Sequence, residues 1–248
     1  MKYLCSAMKV SEKIAQQIKT TTEDTTFGYE QLNLSKEEYP AAAKVLERMQ
    51  KKGILKKISK GIFYKPKISV FGELKPGEQE ILKPYLFQDG KRIAYITGTY
   101  LYNQLGLTTQ LTNRIKIASR SKRIYVNTGA IKASPVKSYA DVTDNNYQLL
   151  GFLDAMKDLK IIPDADIKSA ITIFSNRINQ LTDEEVKEMI NFALVYPPRV
   201  SALLGAILEQ LNMTSGIEKL KEKLNPLSYF KLGIKPDYLR SISNWNIQ

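Results

Sequence analysis

Lys44, Arg48 and Lys51 stand at i, i+4 and i+7, the spacing that lines side chains along one face of a helix. Ala42, Val45, Leu46 and Met49 supply the opposite, apolar stripe, and Glu47 is the one acid beside the cations. Between Lys51 and Lys67 there follow seven lysines and no acid. A cationic helix face next to a lysine-rich ribbon suits one task well: neutralising the phosphates of a duplex while early helical residues meet base edges. On that reading Tyr39, Ala41, Ala43 and Lys44 are base-edge candidates, and Arg48, Lys51 and Lys52 meet the backbone. Lys56, Lys57, Lys60 and Lys65 then project from a wing beside the backbone or minor groove. The competing reading is a solvated helix face and an edge hairpin kept from aggregating by its charge.

The elements that must position these residues are written in the surrounding pattern. Val10, Ile14, Ala15 and Ile18 recur at helical spacing and predict a first helix over 9–20, broken by Thr20 to Thr26. A short second helix is expected over 28–33, and Pro40 suits the first turn of a third that reaches Lys52 and stops at Gly53. Ile54 to Ile58, the turn Ser59-Lys60-Gly61 and Ile62 to Lys65 before Pro66 predict a hairpin. Helix, helix, helix, hairpin is the order of a winged helix-turn-helix, here over 1–67. Over 68–140 the pattern predicts a small mixed α/β domain: a helix opened by Pro76-Gly77 and reaching Leu86, a strand Arg92 to Thr97 and a short helix Gly98 to Leu105. Strands Arg114 to Ala118, Arg123 to Asn127 and Ala130 to Pro135 complete it. From 141 to 248 nearly everything reads as helix, including a Thr182-Asp183-Glu184-Glu185 capping box. The fold class expected is α+β, with an N-terminal winged helix-turn-helix, a mixed middle domain and a helical C-terminal region. In the last, Val200, Leu203, Leu204, Ile207, Leu208 and Leu211 form a stripe that serves either a core or a dimer interface.

Charge divides the chain in the same places. Fourteen Lys or Arg against seven acids give +7 through Lys67, eleven against four give +7 from Ile68 to Ala140, and twelve against fourteen give −2 beyond, which together make the net +12. No acid occurs between Gly90 and Ala140, where Arg114, Lys116, Arg120, Lys122 and Arg123 cluster. The alternation Arg114-Ile115-Lys116-Ile117 puts cations on one face of a strand.

Catalysis has little foothold in this composition. The chain has no histidine, which removes the commonest general base and zinc ligand, and its single cysteine, Cys5, makes neither an intrachain disulfide nor a multi-cysteine metal site. Neither a Walker A nor a GxGxxG phosphate loop is present. Pro163-Asp164 with Asp166-Ile167-Lys168 resembles a metal-nuclease signature but is spaced too tightly, and reads better as a helix amino terminus with acids complementing its dipole. Glu184, Glu185 and Glu188 fit a charged helix face. The expectation is a non-enzymatic protein without metal or cofactor. With no apolar run of bilayer length and no signal-peptide pattern, it is expected to be cytoplasmic, away from membranes.

Gly53-Ile54-Leu55 through Ser59-Lys60-Gly61-Ile62-Phe63-Tyr64-Lys65-Pro66-Lys67 resembles the wing of the AbiEi-type antitoxins of type IV toxin-antitoxin systems. Phe71-Gly72-Glu73-Leu74-Lys75-Pro76, then Thr97-Gly98-Thr99-Tyr100 and Asn103 to Gln110, are similar to the middle region of a DUF6088 branch of that family. The resemblance covers about residues 9–136. It implies an autorepressor that binds double-stranded operator DNA of its own two-gene operon, possible homo-oligomers on that DNA, and an antitoxin activity against a nucleotidyltransferase-like toxin, by direct contact or otherwise. The chain departs from the family pattern at Leu111-Thr112, where a proline is usual, and in its longer helical back third. Thr108, Thr109 and Gln110, with the basic cluster that follows, are candidates for the partner or antitoxin surface, and a structural loop explains the first three as well. The alternative function is a non-catalytic module whose basic middle surface holds RNA or an acidic protein.

Overall fold

A computed structural model describes residues 9–70, 72–129 and 131–248. Cys5, Phe71 at the head of the Phe71-Gly72 motif, and Ala130 at the expected start of a strand lie outside the described residues. The chain divides into two compact units, one ending at Lys91 and one beginning at Arg92, where the sequence pattern predicts boundaries at 67 and 140.

In the first unit, α1 (Val10–Thr20) buries Ile14 and Ile18. The Glu12 carboxylate accepts the Lys9 N–H at 3.3 Å, supplying a partner that a helix start otherwise lacks. The predicted break then contains a strand, β1 (Thr26–Gly28), and the predicted second helix is a 3₁₀ turn (Tyr29–Leu32) ending at Asn33 with φ 49°. A further 3₁₀ turn, Lys36–Glu38, leads into α2 (Tyr39–Lys51). Glu38, just before α2, pairs with Lys13 of α1 at 2.7 Å, a half-exposed tie that holds its carboxyl below the ordinary range. Ala42, Val45 and Leu46 of α2 join Ile14, Ile18, Phe27, Leu32, Leu55 and Phe63 in one core. α2 stops where Gly53 takes φ 71°. Gly53 N–H donates to Gln50 O (2.9 Å) and Ile54 N–H to Met49 O (3.0 Å), the paired bonds of a Schellman terminus.

β2 (Lys56–Ser59) and β3 (Ile62–Tyr64) form the expected hairpin, and β1 adds to its far side in the order β1-β3-β2, all antiparallel. A second ribbon, β4 (Lys67–Ser69) with β5 (Gly72–Leu74), leaves Ile68 and Val70 in solvent. α3 (Glu78–Leu86) contains Pro84, which has no N–H for the Glu80 carbonyl. That carbonyl accepts the Thr26 hydroxyl at 2.7 Å, tying α3 to β1. A two-residue turn, Asp89 (φ 48°) and Gly90 (φ 73°), joins β6 (Phe87–Gln88) to β7 (Lys91–Arg92), the type I′ geometry that Asp-Gly favours.

The second unit opens with β8 (Tyr95–Thr97), α4 (Thr99–Gln104), β9 (Arg114–Ser119), β10 (Val126–Asn127) and β11 (Lys132–Lys137). The sheet order is β10-β11-β9-β8, with β9 and β11 parallel and the outer pairs antiparallel. Five helices follow: α5 (Tyr147–Asp158), α6 (Ile167–Ile178), α7 (Asp183–Ala193), α8 (Pro198–Gln210) and α9 (Ile217–Glu222). The Thr182 hydroxyl and Glu185 carboxylate cap α7 reciprocally. At its other end Lys223 donates to the carbonyls of Ala193, Leu194 and Tyr196, the last at 2.5 Å; partial burial lowers its pKa. α8 is buried from Val200 to Leu208, so the leucine-rich stripe is core, with Leu211 half-buried against it. Its middle passes Gly205 under the ring of Trp245, which is 1% exposed. The core runs without a break from Tyr95 to Ile247, which is why no boundary forms near 140: sheet and helices bury their apolar faces in each other.

Candidate nucleic-acid interface

Along α2, Ala41, Ala43, Lys44, Arg48, Lys51 and Lys52 are exposed, opposite the buried Ala42, Val45 and Leu46. Lys51 pairs with Glu47 at 2.9 Å in a fully solvated i, i+4 contact, and that lysine holds the Glu47 carboxyl below its usual value. On the hairpin Lys56, Lys57 and Lys60 are exposed, and Lys56 pairs with Glu73 of β5 at 3.1 Å. Two sequence candidates are placed otherwise. Tyr39 is half-buried, its ring 5.3 Å from that of Tyr29. Lys65 is half-buried and donates to the Thr21 carbonyl at 3.4 Å.

Tyr29 links the start of α2 to the ribbon. Its ring lies 5.3 Å from Tyr39 in the first turn of α2 and 6.0 Å, edge-on, from Phe63 of β3. A β-carbon on Gly61 would stand 3.7 Å from the same ring. The opening turn of α2, from which Ala43 and Lys44 follow, and the β2–β3 turn, with Lys60, thus share one aromatic support. Edge-to-face contacts of this kind contribute roughly 0.5–1.5 kcal/mol beyond burial, enough to hold two short elements in register.

In the second unit the Gly-Leu-Thr-Thr-Gln run is a helix terminus. Gly106 (φ 79°) and Leu107 donate to Asn103 O (2.9 Å) and Tyr102 O (2.8 Å), the same device that ends α2. Thr108, expected to be exposed, is buried: its carbonyl accepts from Asn103 and its hydroxyl accepts the Gln110 N–H. Gln110 is exposed but donates to Asp164 at 2.8 Å, leaving Thr109 as the open member of the three. Asp166 caps α6 through the Ser169 N–H at 2.9 Å, in keeping with the helix-terminus reading of 163–168.

Arg114 and Lys116 alternate with the buried Ile115 and Ile117 on β9, as the pattern predicts. The Lys116 stem lies over Gly98, whose absent β-carbon would stand 2.8 Å from Lys116 Cδ. Arg120 is engaged by the Tyr139 carbonyl (3.0 Å) and by Asp141 (3.6 Å), whereas Lys122 and Arg123 are exposed. The register adds residues that the sequence pattern leaves out: Lys132 of β11 sits beside Arg114, and Asn127 of β10 beside Lys132. The alternation Ile124-Tyr125-Val126-Asn127, with only the apolar members other than tyrosine buried, is the signal that could have found Asn127.

The other missed group is internal. Asp154 of α5 is 3% exposed and accepts hydroxyl hydrogens from Tyr95 (2.9 Å) and Thr97 (2.8 Å). Lys157 reaches Asp158 at 3.1 Å and Asp154 at 3.8 Å, and Tyr102 donates to Asp158 at 2.7 Å. Burial pushes the Asp154 carboxyl up against the pull of Lys157, Thr97 and Tyr95, and burial also raises the Tyr95, Tyr102 and Tyr196 hydroxyls. Every partner is internal, so the network fastens β8 and α4 to α5. Among the described residues no three Cys, Asp or Glu side chains gather where they could hold a metal ion, and no helix is long and apolar enough to cross a membrane.

No curated protein matches the chain. Among solved structures, the RV2827C protein from Mycobacterium tuberculosis is similar at 11% identity, with a TM-score of 0.50 over 88% of this chain and 82% of that one, a likeness of fold alone. The family model of DUF6088 matches residues 13–138, from inside α1 to just past β11. The chain therefore belongs to DUF6088, a family of unknown function.

Proposed function

We propose that the chain is a DNA-binding transcriptional autorepressor and antitoxin of a type IV toxin-antitoxin operon, akin to the AbiEi type, that counteracts a nucleotidyltransferase-like toxin. Its N-terminal winged helix-turn-helix reads the operator: α2 enters the major groove and the β2–β3 ribbon is the wing. The observation that carries the reading is the shared Tyr29 support, which sets the opening turn of α2 beside the ribbon turn. Two cationic elements in that relation can follow one duplex, since both rows of phosphates border the groove that a helix occupies. The antitoxin role rests on the resemblance over 53–110. The protein works in the cytoplasm, as a homo-oligomer where the operator carries two half-sites about one helical turn apart.

The test is binding to a fluorescent duplex of the gene's own promoter, followed through a salt series. Lys44, Arg48, Lys52, Lys57 and Lys60 are exposed and make no ion pair among the described residues. If each releases one counterion, log K falls against log salt with a slope of about −4.5, or roughly 500-fold between about 50 and 200 mM. Arg48→Ala with Lys57→Ala should weaken binding and make the slope shallower by about 2. Binding that is indifferent to both salt and this pair of substitutions overturns the assignment. For the antitoxin role, expressing the partner gene of the operon should arrest growth and coexpressing this chain should restore it; continued arrest refutes that half alone.

A further inference from the structure

The sheet of the second unit presents a face that the DNA reading does not use. Alternation along three neighbouring strands buries Ile115 and Ile117 of β9, Val126 of β10, Ala133 of β11 and Ile131 just before it. Of the intervening residues, Arg114, Lys116, Asn127, Lys132 and Ser134 are exposed on one side, while further along the same side Ala118, paired with Tyr95, is buried in the core beneath α5. Register aligns Asn127, Lys132 and Arg114 in one row across β10, β11 and β9, and Ser134 with Lys116 in the next. Tyr125 precedes β10, alternates with the same buried neighbours, and is 69% exposed. Arg114, Lys116 and Lys132 make no ion pair among the described residues, and no acid lies anywhere between Gly90 and Ala140 in the chain.

We propose that this face, with Arg114, Lys116 and Lys132 as phosphate contacts and Tyr125 as a stacking platform, binds a single strand of RNA. Neighbouring strands put cations about 4.8 Å apart across the sheet and about 6.6 Å apart along it, a grid that tracks an extended polyanion. The Lys116 stem is already laid over Gly98, so less rotamer freedom is lost when its ammonium is engaged. An exposed tyrosine ring beside such a grid finds its complement in an unstacked base, which a duplex does not offer. Asn127 and Ser134, interleaved with the cations, are donor–acceptor side chains suited to a ribose 2′-hydroxyl. An acidic protein surface would use the cations and leave the ring and the amide without a specific role.

The inference is independent of the operator reading, because it draws on none of α2, β2 or β3. It is tested with the full chain and a labelled uridine oligonucleotide of about twelve residues, within the span of a single-strand platform. Loss of base stacking in Tyr125→Ala should weaken binding about 5- to 150-fold, with Tyr125→Phe close to wild type. Arg114→Ala with Lys132→Ala should make the salt slope shallower by about 1.4. Lys44→Ala with Arg48→Ala should leave RNA affinity where it was, which separates this site from the operator surface. All these side chains are exposed, so an unchanged melting temperature certifies the fold. RNA affinity that is insensitive to Tyr125→Ala overturns the proposal. So does a deoxythymidine strand of equal length bound as tightly as the RNA, or a DNA duplex that is displaced from the same residues and binds as well.

Discussion

Replacing Gly205 with alanine isolates a single contact in the second unit. A β-carbon there would stand 2.1, 2.2 and 2.5 Å from three ring atoms of Trp245, whereas carbon atoms in contact settle at about 3.5–4.0 Å. The ring cannot give way locally: it is 1% exposed, its indole N–H donates to Glu209 at 2.5 Å, and neighbouring Ser241 donates to the Ala206 carbonyl at 2.5 Å. Two effects oppose each other. Alanine in a helix interior is favoured over glycine by about 1 kcal/mol, while expelling a buried tryptophan forfeits about 3–5 kcal/mol. The net expectation is a loss of about 2–4 kcal/mol, or a fall of about 4–16 °C in the melting temperature of a unit this size. Trp245 is the only tryptophan, so its emission should shift to the red in Gly205→Ala as it enters water. In a Trp245→Ala background the same substitution should cost nothing and recover the helical gain of about 1 kcal/mol. Equal costs in the two backgrounds, or a Gly205→Ala protein with native emission and an unchanged melt, would refute the steric account.

Thr182→Ala removes the hydroxyl that caps α7 and should cost about 0.5–2 kcal/mol in denaturant unfolding, with Thr182→Asn restoring most of it; equal losses in both variants would mean that the cap is not the cause. Tyr95→Phe removes one of the two hydroxyls that donate to Asp154 and should cost about 1–3 kcal/mol, more than the same exchange at the exposed Tyr125, and the comparison fails if the two are alike. Because burial raises the Asp154 pKa, the folded chain holds that proton more tightly than the unfolded chain does. Its contribution to stability therefore falls as pH climbs from the unfolded value near ~4 through the folded one. Asp154→Asn lacks the proton, so its stability relative to wild type should improve across that window; a difference flat with pH would discredit the shift.

Where local forces decide, the residues announce their structure. The i, i+3, i+4 stripe of α2, the Thr182–Glu185 cap and the glycine stops at Gly53 and Gly106 depend on neighbours within one turn, and each lies where the pattern predicts. β1 was not legible because Thr26-Phe27-Gly28 is too short to show a period, and it becomes a strand only by pairing with β3 some thirty-five residues later. Thr108 reads as an exposed polar residue, yet its burial is set by the Schellman turn before it and by Asn103 and Gln110. The cationic helix and ribbon were visible as charge placement, but the Tyr29 bridge between them depends on three segments at once. Lys132 and Asn127 join Arg114 only through the parallel pairing of β9 and β11, a register that no local pattern specifies. Asp154 shows the same limit, since a carboxylate mid-helix reads as solvated until Tyr95 and Thr97 arrive from another element.

The unequal reach of the two cores sets an order of events during synthesis. The first core closes among residues between Ile14 and Phe63, so it can consolidate as soon as the leading part of the polypeptide clears the ribosome. The second must wait for Trp245 and Ile247, the far end of its cluster. With 157 residues from Arg92 onward (248 − 91), translation takes about 8–30 s to deliver them at ~5–20 residues per second. For that interval the strands and early helices of the second unit expose apolar surface that their partners have not yet arrived to cover. A premature stop codon in the last few dozen positions would therefore spare the leading unit and abolish the trailing one.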